Sequence, residues 1–220
     1  MYLNQFLLLN QHNCLLKPII SIYSIIMCGR FINLNRIDKL NKIFEINESK
    51  NVEDGISYNI APSQSSIIII NSKFFKIEKA DWGIKFFDKR EYQEKNIINS
   101  RLETIQNKIL FKESFEKRRC VIPANGYYEW SINDNIKIPY FINIPDKETI
   151  YFAGIWKYLN FKKSSMKVFS IITKPSNSLL KEIHDRMPVT LSSEESKDYL
   201  DHNNSDYLKN NVKSLLEEYF

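Results

Sequence analysis

The chain has 220 residues, of which 43% are hydrophobic and 26% charged, and its formal net charge is +5. This composition excludes an intrinsically disordered tail, and the length suits one well-buried domain better than two. The charge is uneven: residues 27–191 carry 27 Lys and Arg against 19 Asp and Glu, whereas residues 192–220 carry 3 against 7. A basic body with an acidic end favours a polyanionic partner.

Residues 1–26 form an apolar segment with a single charged residue, Lys17. The polar run 10–13 interrupts this segment, which leaves it short of the ~20 apolar residues that a membrane span needs. No small-residue cleavage site follows it, although a weak signal or transit peptide remains an alternative. We interpret residues 1–26 as an upstream extension that is not part of the mature protein, so that the domain covers residues 27–220.

Met27 and Cys28 begin the motif Met-Cys-Gly-Arg-Phe. If translation starts at Met27 and this methionine is removed, Cys28 carries an α-amine and a thiol on adjacent carbons. The ordinary pKa values of these groups, about 8 and about 8.5, leave both partly available as nucleophiles at neutral pH. Together they can condense with an aldehyde, first to an imine and then to a thiazolidine. The alternative is a buried, inert cysteine near the start of a strand.

The three cysteines, Cys14, Cys28 and Cys120, have neither CxxC nor Cys/His spacing. The sequence therefore indicates neither a zinc site nor a disulfide framework, and we predict no metal and no cofactor. A reducing compartment is the simplest environment for such a chain.

The first half of the domain is predicted to contain one amphipathic helix and a buried hairpin. The helix covers about 36–45, with Asn35 as its N-cap. The β-branched run 67–70 is typical of a buried strand, and residues 74–79 are its predicted hairpin partner. The charged stretch 85–96 is expected to be a mobile surface loop.

The second half is predicted to alternate strands with short helices, without the regular βαβ repeat of a parallel sheet. This pattern favours an α+β fold, with one domain built around a strongly curved, mostly antiparallel, barrel-like sheet flanked by short helices. The predicted elements are a short helix containing Phe111 and Phe115, strands entered at 117–123 and at Gly126, a hairpin of 136–144 with 150–158, a strand over 168–173, a helix over 176–183, a helix opened by the capping box of Ser192 and Glu195, and an amphipathic helix over 206–219.

Four short motifs each place a reactive or basic side chain among apolar or aromatic neighbours. Each residue taken singly also has a structural interpretation: Glu129 could face solvent from a strand, His184 could complement a helix dipole, and Asn99 could be a turn residue. The arginines could form surface salt bridges, which contribute little to stability. The motifs are Cys28 with Arg30, Asn99 with Arg101, Glu129 within Tyr-Tyr-Glu-Trp, and His184 with Arg186.

Further motifs lie between and around these four, including Asn-Ile-Ala-Pro-Ser-Gln with Pro62, Trp-Gly-Ile with Trp82, Asn-Ser-Arg-Leu-Glu-Thr, Arg-Arg-Cys-Val-Ile-Pro-Ala-Asn-Gly-Tyr-Tyr-Glu-Trp, Phe-Ala-Gly-Ile-Trp and His-Asp-Arg-Met-Pro. In this order across residues 27–191, the set resembles the SOS-response-associated peptidase (SRAP) family. Members of this family crosslink to abasic sites in single-stranded DNA. No single motif is specific, but the combination is.

The resemblance implies a role for each matching residue. Cys28 matches the cysteine that forms the thiazolidine with the ring-opened sugar, and Asn99 the asparagine that positions the sugar and the amine. Glu129 matches the glutamate that handles the amine proton, and His184 the histidine that promotes ring opening and reversal of the link. The residues implied to line the DNA cleft, or to lie in motifs near it, are Arg30, Arg101, Arg186, Trp82 and Pro62.

The chemistry of an abasic sugar agrees with these implied roles. The sugar is mostly a closed hemiacetal, so exposing its aldehyde needs an acid–base group that titrates near neutral pH, as histidine does. Arginines suit phosphates, and exposed aromatic rings can stack on bases. We therefore expect binding to single-stranded DNA with strong salt dependence and little base preference.

The resemblance further implies an intracellular, DNA-associated monomer with no membrane partner, whose crosslinking includes a possible lyase-like reversal. Two other functions remain open at this point. One is a cysteine peptidase or self-cleaving protein with Cys28 as its N-terminal nucleophile. The other is a reader that binds single-stranded DNA without bond chemistry.

Overall fold

A computed structural model describes residues 29–47, 52–133, 136–161 and 164–201 of the chain. Three of the sequence predictions lie outside these residues: the extension over 1–26, the nucleophile Cys28, and the helix over 206–219. The described helices are α1 (Ile37–Phe44), α2 (Ile109–Lys117) and α3 (Ser193–Leu200).

The described strands divide between a large sheet, a smaller four-stranded sheet and one isolated hairpin. In chain order they are β1 (Arg30–Asn33), β2 (Ser57–Ile60), β3 (Ser65–Asn71), β4 (Phe75–Trp82), β5 (Ile84–Asp88), β6 (Gln93–Ile97), β7 (Asn99–Arg101), β8 (Arg119–Ala124), β9 (Gly126–Asn133), β10 (Ile136–Ile142), β11 (Ile150–Phe161), β12 (Ser164–Pro175), β13 (Arg186–Pro188) and β14 (Thr190–Leu191).

Five strands of the large sheet close into a barrel, in the order β12, β4, β3, β8, β11 and back to β12. The β3–β4, β3–β8, β8–β11 and β11–β12 pairings are antiparallel, and β12–β4 is parallel. Strand β7 adds to β12 in parallel, while β13 and β14 extend the sheet beside β12 and β11. The prediction of an α+β domain around a curved, mostly antiparallel sheet is therefore confirmed.

Strand β3 is buried on both faces, which explains its run of isoleucines. Ile67 and Ile69 pack with the apolar faces of the three helices in one core cluster. Ile68 and Ile70 point the other way, into a second cluster between the barrel and the four-stranded sheet. Burying each of these side chains contributes about 2 kcal/mol, so β3 anchors both cores.

The four-stranded sheet, in the order β10, β9, β1, β2, packs against the barrel through the second cluster. Phe31 of β1 contacts the barrel most closely, with its ring 5.1 Å from that of Trp82 and 5.9 Å from that of Phe152, both edge-to-face. These contacts fix β1, and with it Gly29, against the body of the protein.

The predicted buried hairpin, the helix with Phe111 and Phe115, and the capping box of Ser192 and Glu195 are all confirmed. The helix predicted over 36–45 is also present as α1, but its N-cap is different. Arg36 occupies the cap position without a side-chain capping bond, and Asp54 accepts the N–H of Ile37 at 2.8 Å instead. Asn35 instead bonds to Asn33.

Two further local predictions are wrong. Residues 85–96, expected to be a mobile loop, form the β5–β6 hairpin, in which Lys95 pairs with Asp88 at 2.8 Å. The segment over 136–144 pairs with β9 and that over 150–158 with β8 and β12, so they are not partners of one another. Each strand finds its partner by burial across the molecule, which local alternation does not reveal.

The helix predicted over 176–183 is also absent. Asn177 instead accepts the backbone N–H of Leu180 through its side chain, and the segment runs as consecutive turns. Its ends are joined because the N–H of Ser176 donates to the carbonyl of Asp185 at 3.0 Å. Ser and Asn side chains that bond to nearby backbone compete with helix formation in this way.

Candidate functional site

A cavity of about 400 Å³ lies where three segments that are distant in sequence meet. Arg101 contributes from β7, and Trp130 and Ile132 contribute from β9. The turns before β13 supply Lys181 and the run 183–186. Arg101, His184 and Arg186, which three separate sequence motifs singled out, thus line the same cavity.

His184 is held by contacts to one of its ring nitrogens. Nδ1 lies 3.0 Å from the backbone nitrogen of Arg186 and 3.1 Å from Oδ1 of Asp185. These two contacts serve different protonation states: the neutral ring accepts the Arg186 N–H, whereas the protonated ring would donate from Nδ1 to the Asp185 carboxylate. The first contact places the proton of the neutral ring on Nε2. The contact with Arg186 orients the His184 ring beside the cavity.

Arg186 lies beside this histidine with only 9% of its surface exposed. Its guanidinium forms a bidentate ion pair with Glu103, in which Nη2 to Oε2 is 2.9 Å, and Nη2 also donates to the carbonyl of Thr173 at 2.7 Å. Burial raises the pKa of the Glu103 carboxyl, but hydrogen bonding and charge from Arg186 outweigh it, so this pKa lies below its ordinary value. The surface salt bridge considered for Arg186 is thus a largely buried one. It joins β13 to the turn after β7, whereas the bond to the Thr173 carbonyl joins β13 to β12.

Glu129 is 2% exposed, so it does not face solvent from its strand. Strand β9 pairs with β1 so that Tyr128 is opposite Arg30. Continuing this register by one residue brings Glu129 opposite Gly29, which is itself buried. Gly29 is covalently joined to Cys28, which lies outside the described residues.

Asn99 and Arg101 lie on the same side of β7. The strand has Ser100 buried, Asn99 half-buried and Arg101 exposed, and side chains two residues apart in a strand share a face. Because Arg101 lines the cavity, Asn99 is on the cavity side of this strand. The parallel pairing of Asn99 with Ile171 fixes its backbone.

The three other predicted cleft residues differ in how exposed they are. Arg30 is exposed on the four-stranded sheet, and its Nη1 donates to Asn59 at 3.0 Å. Pro62 is half-buried in the turn between β2 and β3. Trp82 has no exposed surface: its Nε1 donates to the carbonyl of Ile98 at 3.0 Å. A side chain so enclosed packs the core and does not present a ring to DNA in this structure.

Sequence reasoning gave no role to Glu103, Asp185 or Lys181, although the first two lie within the quoted motifs. Glu103 and Arg186 are 83 residues apart, and nothing local to either predicts their ion pair. Asp185 could have been noticed from its position beside His184, since a carboxylate next to a histidine often orients the ring.

The described residues offer few other kinds of chemistry. They contain no group of three or more His, Cys, Asp or Glu that could hold a metal ion, and none of their helices is long and apolar enough to cross a membrane. Cys120 is fully buried, and burial raises the pKa of its thiol well above the ordinary value. This thiol is therefore not a nucleophile at neutral pH.

Comparison with known proteins adds independent information. A family model described as SOS response associated peptidase (SRAP) matches residues 27–219. The abasic site processing protein YoqW of Bacillus subtilis (strain 168) is 35% identical over 198 residues, which cover 88% of each protein. The abasic site processing protein YoaM of the same organism is 36% identical over 190 residues, covering 83% of this chain and 84% of YoaM. A crystal structure of a protein from Bacteroides thetaiotaomicron matches with a TM-score of 0.71 at 26% identity, covering 86% of each chain.

Proposed function

The chain belongs to the SOS response associated peptidase family, and we propose that it processes abasic sites in DNA by covalent capture of the lesion. Its relatives YoqW and YoaM are named abasic site processing proteins, which supports an abasic site as the substrate. One structural observation supports the site: His184, Arg101 and Trp130, from three distant segments, line one cavity. A basic cavity that holds an acid–base residue suits a phosphate-flanked sugar.

The proposed reaction starts at Cys28, freed as the first residue when Met27 is removed. Its neutral α-amine adds to the aldehyde carbon of the ring-opened sugar, and loss of one water gives an imine. The thiol sulfur then adds to the imine carbon while its proton moves to the nitrogen, which closes the thiazolidine ring. Water is the only product released, and no oxidant or cofactor is needed.

Three other residues would assist these steps. Glu129, buried opposite Gly29, would take the proton from the amine and return it for the loss of water. His184, held through Nδ1 beside the cavity, would open the sugar ring and could reverse the link. Asn99, on the cavity side of β7, would position the sugar.

The DNA strand itself would be held mainly through its phosphates. Arg101 lines the cavity and is exposed, and Arg30 is exposed on the neighbouring sheet. Arg186 would act chiefly by positioning, because its guanidinium is already paired with Glu103. This arrangement supports salt-dependent binding with little base preference.

We further propose that residues 1–26 are not part of the active protein. Any residue ahead of Cys28 would convert its α-amine to an amide, which cannot form the imine. The family match begins at residue 27, which agrees with a start at Met27. Intact-mass measurement of the native protein tests this point, and a mature protein beginning at Met1 would contradict it.

Crosslinking is tested with a version of the chain that starts at Met27. Mixed with single-stranded DNA that contains an abasic site, it should give an adduct that survives denaturing electrophoresis, and the full chain should not. Cys28→Ala should abolish the adduct and keep weak reversible binding. Reversible binding with no adduct under any condition would favour a non-covalent reader. Cleavage of a fusion ahead of Cys28, lost in Glu129→Gln, would favour a peptidase.

The role of His184 is tested separately by rate. His184→Ala should slow adduct formation about a hundredfold, the usual minimum for losing a general acid–base group. Lys181→Ala, which changes another side chain of the same cavity, should affect binding more than rate. If His184→Ala forms the adduct as fast as the parent protein does, and also reverses it as fast, the proposed role of His184 is refuted.

A further inference from the structure

A row of aromatic side chains extends from the cavity across the outer face of the four-stranded sheet. Alternation along β9 directs Glu129 into the protein and Tyr128 and Trp130 outward. The Tyr128 ring lies 6.5 Å from that of Trp130 and 5.4 Å from that of Phe141 on β10. Trp130 also lines the cavity, so the row continues the site and is not a separate patch.

Phe141 is the most accessible ring of the row, and the strand beneath it holds it in place. It keeps 48% of its surface exposed. A Cβ at Gly126 would lie only 2.5 Å from its ring atom Cζ, so the lack of a side chain at Gly126 lets the ring rest on the backbone of β9. Contacts to Gly126 and Tyr128 hold an aromatic surface that still faces outward.

The charge of this face suits an anionic partner. Arg30 is paired in register with Tyr128 and is exposed beside it. By the β9–β10 register, the outward positions of these two strands hold exposed Lys137 and no carboxylate among the described residues. A row of rings flanked by cations is the arrangement that binds unpaired bases and their phosphates.

We propose that this aromatic row, formed by Trp130, Tyr128 and Phe141, stacks on the unpaired bases of the strand that leads away from the abasic site. The inference rests on the proposed function, because the abasic sugar must occupy the adjacent cavity. At an abasic site the flanking bases lose a stacking partner, and the exposed aromatic rings would take the place of the missing base. Paired bases hide their faces inside a duplex, so the row distinguishes single strands from double strands.

The test uses the full chain and a fluorescent single-stranded oligonucleotide in which a tetrahydrofuran unit replaces the abasic sugar. This unit has no aldehyde, so binding is measured without crosslinking. Phe141→Ala should weaken binding about tenfold, the loss typical of one stacked base. Phe141→Leu should weaken it similarly, because leucine keeps apolar surface but has no aromatic face. Affinity for a duplex of the same sequence should be unchanged.

Two control variants separate stacking from charge and from general surface effects. Phe74→Ala, at a 77% exposed ring in the turn between β3 and β4, should bind as the parent does. Arg30→Ala should lower the salt dependence by about one phosphate contact, whereas Phe141→Ala should leave it unchanged.

Other outcomes would overturn the inference in recognisable ways. Unchanged single-strand affinity in Phe141→Ala removes the stacking role, even if the Met27 version still crosslinks normally. Loss of self-association in Phe141→Ala, with DNA binding intact, would assign the row to contact between copies of this chain. A tenfold loss of affinity in Phe141→Ala, together with no crosslinking by the parent, would keep the stacking row but refute covalent capture.

Discussion

The Glu103–Arg186 ion pair helps to hold the residues around His184 in place. Arg186 provides the backbone N–H that orients the imidazole, and Glu103 holds Arg186 in place by two hydrogen bonds. Removing one partner of a buried pair leaves the other charge without compensation. The orientation of the His184 ring thus depends on a carboxylate that does not itself line the cavity.

We predict that Glu103→Gln lowers the free energy of unfolding by about 2 kcal/mol at neutral pH. This is below the range for a fully buried pair, because a third of the Glu103 side chain is exposed. The folded-state pKa of Glu103 is depressed, so its contribution is present above the ordinary value of 4.5 and disappears as the pH falls through the folded value. Urea unfolding of both proteins across this pH range checks the prediction.

The two proteins should therefore differ at pH 7 and converge in acid. Glu113→Gln is a suitable control, since Glu113 forms an exposed ion pair with Arg118 and should change stability little. A difference between Glu103→Gln and the parent that stays constant down to acid pH would show that the charge of Glu103 is not what stabilises the fold.

Among the larger elements, helix α3 begins at the capping box that the sequence predicts. Ser192 accepts the N–H of Glu195 at 3.1 Å, and the Glu195 carboxylate accepts the N–H of Ser192 at 2.6 Å. Both bonds are local, which is why the Ser-x-x-Glu spacing predicts them. The helix then delivers Tyr199 to the core, where its hydroxyl donates to the carbonyl of Gly154 at 2.9 Å.

Ser192→Ala should destabilise the protein by about 1 kcal/mol, because one N–H at the helix start loses its acceptor. The urea midpoint should fall while the slope of the transition stays the same. Ser193→Ala, one residue further along the helix, removes only a bond to the exposed Glu194 and should have a smaller effect. Equal effects of the two substitutions would indicate that the cap contributes nothing of its own.

Elements without such local signals were predicted less well. The turns before His184 include residues that a helix tolerates, but the Asn177 side chain and the bond from Ser176 to Asp185 hold them as consecutive turns. Likewise, β10 and β11 both alternate in polarity, but which strand each one pairs with depends on which face is covered. Strand partners are a property of packing and are not encoded within a single strand.

At the scale of the whole molecule, barrel closure depends on close approach at Gly154 in β11. A Cβ there would lie 2.5 Å from Cδ1 of Ile122 and 3.1 Å from the carbonyl oxygen of Ser170, on the two neighbouring strands. We predict that Gly154→Ala destabilises the barrel by about 2 kcal/mol through overpacking. Thermal or urea unfolding measures the loss.

Ile122→Val tests this explanation, because it removes the Cδ1 that the new Cβ would meet. Alone it should cost about 1 kcal/mol, but combined with Gly154→Ala it should cost less than the sum of the two. If the free-energy losses of the two substitutions simply add, a clash with Ile122 is not the source of the destabilisation, and the Ser170 carbonyl is the remaining neighbouring-strand contact to test.

The sequence by itself determined the family and the α+β class, and it predicted candidate site residues, because the motifs are short runs whose order along the chain is visible without coordinates. It also determined α1, α2 and the α3 cap, whose apolar spacing and side-chain bonds are local. Only the tertiary structure decided that Trp82 is a core residue, that Arg186 is bound to Glu103, and that Phe141 rests on Gly126 beside Tyr128. Those contacts join residues far apart in the chain, and burial, which selects them, is a property of the closed barrel and its covering sheet.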